Sequence, residues 1–128
     1  MTVFNKEEAL ASTAGDQELL RQVLRFTLED LPPLLGEAAA LLRSASAAEL
    51  ARTAHKIKGS AAACGAEKMY LAALELETAA RDAKDIRDEN PGFQNLYVSL
   101  EKSFEEFSKD GQVLQLASLD ADSPASIG

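Results

Sequence analysis

The chain has 128 residues, 46% apolar and 27% charged, with 13 Lys and Arg set against 21 Asp and Glu. Its net charge of −8 argues against a nucleic-acid partner, because neutralising a phosphate backbone needs clustered cations rather than an acidic excess. Cys64 is the one cysteine and cannot form an internal disulfide; the chain opens with no leader pattern and contains no apolar run of membrane-spanning length, so a cytoplasmic protein without direct membrane insertion is expected.

Alternating strand patterns are nearly absent, and apolar residues recur at three- and four-residue steps, which predicts an all-α fold. Asn5 with Glu8 fits a capping box, with Phe4 just outside it, and opens a short helix that Gly15 ends. Asp16 caps a second helix whose apolar positions include Leu20, Val23, Leu24, Leu28, Leu31, Leu35, Ala38, Leu41 and Leu42. Pro32 and Pro33 each remove a backbone donor, so this helix is expected to kink or to split there. Ser46 and Glu49 form the next capping box and start a third helix running to Cys64, with Gly65 as its left-handed terminus. The turn that follows is so short that a fourth helix, over about residues 67–84, must lie antiparallel to the third. After the linker DAKDIRDEN, Asn90 and Pro91 supply a cap and a first-turn proline for a last helix carrying Leu96, Leu100, Phe104, Phe107, Val113 and Leu114. These elements predict an antiparallel four-helix bundle over residues 1–117, with a short extra N-terminal helix and a kinked or split second helix, and a disordered tail over 118–128.

The single histidine, His55, lies in AHKIKGSAAACGA, residues Ala54 to Ala66. At ~100° per residue, Leu50, Ala54, Ile57, Ala61 and Cys64 form one apolar stripe, and His55 falls well outside it on the solvent side. An exposed histidine alone carries no message, but its neighbours are unusual. Gly59 stands one turn on, although glycine inside a helix costs ~1 kcal/mol relative to alanine and this chain uses alanine freely around it. A missing Cβ there would let another molecule approach the imidazole closely. Between Ala51 and Ala66 the charged residues are Arg52, Lys56 and Lys58, a basic island without a carboxylate in an acidic chain. A solvated basic face is one reading, with Lys58 merely snorkelling at the core margin. The other is a site for a transient anionic adduct on the imidazole, with phosphoryl the obvious candidate.

A partner for the ring follows from the hairpin. His55 and Glu77 stand about 15 and 18 Å from the bend at 1.5 Å per residue, so they are nearly level, and both are displaced to the same side of their core stripes. Glu77 is placed either to accept the Nδ1 hydrogen bond, leaving Nε2 with the lone pair, or to pair with Arg81, its i+4 neighbour. Other chemistries fail: Cys64 and His55 point to opposite sides of one helix, one His and one Cys do not make a zinc site, and no phosphate-cradling glycine loop is present.

The stretch AHKIKGSAAACGA resembles the signature of the histidine-containing phosphotransfer (HPt) domain family, in which Ala-His is followed by a hydrophobic residue, Lys, Gly, a small residue and Gly-Ala. GDQELLRQVLRFTLEDLPPLL is similar to that family's long second helix and LELETAAR to its fourth, so the resemblance spans about Phe4 to Phe107. It departs mildly at Cys64 and Ile57, where leucine is more usual, and in the longer linker with Pro91 and Gly92. The resemblance implies His55 as phospho-acceptor, Lys58 and Arg81 as phosphate-supporting, Glu77 as histidine-orienting and Gly59 as the close-approach position, with no metal site, while Lys56, an extra lysine beyond the family pattern, joins the phosphate-supporting cations as part of the basic island. It further implies a monomeric phosphoryl carrier with no catalytic activity or cofactor of its own, Mg²⁺ residing only in the partner. The implied partners are response-regulator receiver domains, a sensor histidine kinase, or both. Two alternatives stand beside the relay: a phospho-accepting domain phosphorylated directly by an ATP-dependent kinase domain, and a non-catalytic interaction bundle.

Overall fold

In the computed structural model, residues 2–44, 46–83 and 92–118 are described. They form six helices and no strand: α1 (Lys6–Ser12), α2 (Gln17–Leu41), α3 (Ala47–Ala63), α4 (Glu67–Asp82), α5 (Gly92–Lys109) and α6 (Gly111–Ala117). The long helices α2 to α5 bundle around one core, with α3 and α4 in the most extensive contact. None of the described helices is long and apolar enough to cross a membrane.

Local chemistry sets the helix starts as expected. Asn5 accepts the Glu8 N–H at 3.0 Å, Asp16 accepts that of Leu19 at 3.0 Å, and Ser46 accepts that of Glu49 at 3.3 Å. Each satisfies an N–H that the first helical turn leaves without a partner, worth about 1 kcal/mol. The reciprocal half of the first capping box does not form: the Asn5 N–H donates to Gly65 O at 2.7 Å, so the cap binds α1 to the α3–α4 turn instead.

The apolar stripes converge. Leu20, Leu24 and Leu31 of α2, Leu50, Ala54, Ile57 and Ala61 of α3, Met69, Ala73 and Leu76 of α4, and Phe93, Leu100 and Phe107 of α5 are all buried. Each large side chain contributes about 1.5–3 kcal/mol by leaving water, and the many alanines of α3 and α4 let those two helices approach closely. Phe4 meets Phe107 edge to face, ring centroids 6.3 Å apart. Cys64 is buried among them, and burial pushes its thiol up to about 11.

Of the kink or split expected at Pro32 and Pro33, the split does not occur, since α2 runs unbroken through both. They are exposed, so water can serve the carbonyls of Leu28 and Glu29 that lose their donors, while buried Leu31 and Leu35 hold that segment to the core. Tyr97 adds a hydrogen bond from its hydroxyl to Leu35 O at 3.2 Å. The last helix, expected to continue through Leu114, instead ends at Lys109. Asp110 caps a separate α6 by accepting the N–H groups of Gln112 and Val113 at 2.9 and 3.1 Å, and this new direction buries Val113 and leaves Leu114 exposed. The fourth helix ends at Asp82, with Ala83 already extended; residue 84, the Asn90–Pro91 start and residues 119–128 of the expected tail over 118–128 lie outside the described residues.

Candidate functional site

The core stripe of α3 fixes where His55 points. With Ala54 and Ile57 wholly buried, the imidazole is turned outward, its side chain 59% exposed. Across the α3–α4 seam lies Glu77, displaced from the stripe of α4 but 1% exposed, because α3 covers it. A buried carboxylate needs partners, and Glu77 has three. His55 Nδ1 is 2.9 Å from Oε2, Arg81 Nη2 is 2.5 Å from Oε2, and Lys58 Nζ is 2.8 Å from Oε1 in an ion pair that lies off the hydrogen-bond line. The two readings of Glu77 drawn from the sequence are thus compatible: one oxygen serves both His55 and Arg81.

Burial alone would push the Glu77 carboxyl up. The Lys58 ammonium, the His55 N–H and the Arg81 guanidinium outweigh it and hold the group below the usual carboxylate range. Glu77 is therefore ionised at neutral pH and can only accept. Nδ1 must then carry the hydrogen, which leaves Nε2 of the neutral ring with its lone pair. The arrangement presents an exposed imidazole nitrogen with a fixed tautomer and cations within a few ångströms of the ring's carboxylate anchor.

Gly59, one turn beyond His55, has open space where its Cβ would stand, with nothing within 4 Å. Among the described residues no neighbour demands glycine there. Gly65 is the opposite. Its φ is +67°, and a Cβ would come within 2.4 Å of Asn5 O and 3.2 Å of Ala9. That crowding carries α1 onto the end of the hairpin, where Glu67 accepts from the Thr2 hydroxyl at 2.7 Å, from Asn5 Nδ2 at 2.9 Å and from the Thr2 N–H at 3.1 Å. Those donors pull the Glu67 carboxyl down to about 2.

The fold thus gathers His55, Glu77, Lys58 and Arg81 in one cluster, with Gly59 on its open side. Lys56 is not in contact with Glu77; it lines a cleft of about 510 Å³ beside His55, between α3 and the end of α4. Arg52 lines the same cleft. Sequence reasoning counted Arg52 in the basic island without assigning it to the histidine, although its place three residues before His55 puts it on the neighbouring turn of the same face. Among the described residues no group of three or more His, Cys, Asp or Glu is placed to hold a metal ion.

This geometry can be set beside known proteins. The family model described as Hpt domain matches residues 9–118. The fold is similar to the crystal structure of the HPT domain from an Hpt sensor hybrid histidine kinase of Shewanella, at 23% identity and a TM-score of 0.71, covering 91% of this chain and 97% of that one. No curated protein matches the chain. With an exposed histidine in the motif position and a family match over most of its length, the chain belongs to the Hpt domain family, the histidine phosphotransfer modules of phosphorelays.

Proposed function

We propose that His55 accepts a phosphoryl group from the phospho-aspartate of a receiver domain and passes it to another receiver. The observation that carries this reading is the exposed imidazole whose Nδ1 is engaged by the buried, ionised Glu77. In the forward step the Nε2 lone pair forms a P–N bond as the acyl-phosphate P–O bond breaks, and the aspartate leaves as a carboxylate. The positive charge that develops on the ring is stabilised by Glu77 through Nδ1–H. Reversal gives the phosphoryl to the next aspartate. Mg²⁺ belongs to the receiver's own acidic pocket, and the chain itself acts as a carrier that positions the group without catalysing a net reaction.

Gly59 gives the receiver room to bring its aspartate in line with Nε2. Lys58 and Arg81, both held at Glu77, offset the carboxylate's charge and keep it in place. Lys56 and Arg52 supply positive potential toward the acidic pocket of the partner.

The test is label transfer. A receiver carrying radiolabelled phosphate is incubated with the protein, and the expected product is an acid-labile, alkali-stable phosphate absent from His55→Gln. Label that enters only from an ATP-dependent kinase domain, and from no receiver, overturns the relay in favour of direct phosphorylation. No label from either source leaves the chain as an interaction bundle.

A further inference from the structure

Three of the cations around His55 were expected to support phosphate, yet their positions differ in kind. Lys58 and Arg81 each have their charge at Glu77, 2.8 and 2.5 Å away, so moving either toward a phosphoryl group strips a buried carboxylate of a partner. Arg52 and Lys56 are exposed and, among the described residues, have no acidic partner. Both border the cleft that His55 lines; Arg81 borders it too, but with its guanidinium already at Glu77, and Ala51 and Ala80 complete the lining, so small side chains leave the space open. Side chains on a helix lean back toward its N-terminus, which brings the His55 ring over the turn that carries Arg52.

We propose that the cleft between α3 and α4 is the seat of the phosphoryl group once it is on His55, and that Arg52, with Lys56 beside it, is the side chain that holds its oxygens. Lys58 and Arg81 act one step removed, by keeping Glu77 charged and in position. Arg52 suits the task because its planar fork can bind two phosphoryl oxygens at once, and because no ion pair with another described residue is lost when it swings to the phosphate. Lys56 contributes a single, more mobile charge at the rim.

This inference rests on the relay reading, and the experiment separates the two. The full-length protein is equilibrated with a phosphorylated receiver, and the division of label between His55 and the receiver's aspartate is measured at two salt concentrations. Arg52→Ala is expected to move that division about 5- to 10-fold toward the receiver, with helical circular dichroism unchanged. Arg52→Lys recovers part of the loss. The combined Arg52→Ala and Lys56→Ala variant shifts it further and flattens its salt dependence. Lys58→Ala lowers thermal stability through Glu77 while moving the division less than Arg52→Ala does. An unchanged division in the Arg52 and Lys56 variants, with wild type taking label normally, overturns the phosphate seat and leaves the relay standing. A wild-type protein that takes no label from any receiver overturns the relay and this inference with it.

Discussion

Gly59 lies within α3 and Gly65 in the turn that follows it, and one lesson of the structure lies in how differently they are used. Gly65 is held at positive φ with Asn5 O at 2.4 Å from where a Cβ would stand, so the fold itself demands glycine. Gly59 has helical geometry and empty space around it, so nothing among the described residues demands it. The first glycine builds the molecule, and the second leaves open space at the surface of α3. The two carboxylates nearby divide in the same way. Glu67, at the surface, ties the N-terminal segment to the hairpin, whereas Glu77, under α3, meets Nδ1 of the histidine at 2.9 Å.

Substitutions should break this contrast in graded steps. Gly65→Ala combines positive-φ strain with a clash against backbone, and is expected to cost about 3 kcal/mol. That would lower the melting temperature by about 10 °C in circular dichroism; transfer per folded molecule should be unchanged. Glu77→Gln keeps the shape but removes the charge that Lys58, Arg81 and the developing imidazolium share. A loss of about 1–3 kcal/mol is expected on thermal melting, together with a transfer rate reduced by about 10-fold, read by rapid-quench labelling. Gly59→Ala should do the reverse of Gly65→Ala and raise stability by about 1 kcal/mol. Gly59→Phe should keep the helical spectrum while slowing transfer by at least about 10-fold, since a misplaced partner loses in-line geometry. If Gly59→Phe transfers normally, the vacancy has no docking role.

The smallest effect is one of pH. The Glu67 carboxyl, held at about 2 in the fold against an ordinary 4.5, lends stability that is fully present above the ordinary value and is lost as pH falls from about 4.5 toward 2. Amide exchange at Lys68, whose N–H donates to Thr2 O at 3.0 Å, should quicken through that window. Glu67→Gln should remove the dependence.

Most of this organisation was legible in the residues, where the cause is local. The caps at Asn5, Asp16 and Ser46 and the left-handed terminus at Gly65 act within a few positions of themselves, and each was found where the sequence placed it. The Glu77 partnership was legible too, since a short hairpin fixes the register of two antiparallel helices. The rest depends on a wider context. Whether Pro32 and Pro33 divide the helix or leave it whole is decided by the burial of Leu31 and Leu35 on the opposite face. Asp110 followed by Gly111 was a cap signal, hidden because the apolar period of α5 carries on past it into Val113. The near-complete burial of Glu77, and its pairing with Lys58 and Arg81 but not with Arg52 or Lys56, depend on packing between helices and have no signature in one helix alone.

The interior position of Cys64 has a practical side. With its thiol pushed up to about 11, almost none of it is thiolate at neutral pH, and maleimides react through the thiolate. A cysteine introduced at exposed Ala62 would therefore be the single reactive handle on the native chain. A dye attached there would watch a partner arrive beside the histidine, without any need to remove the cysteine already present.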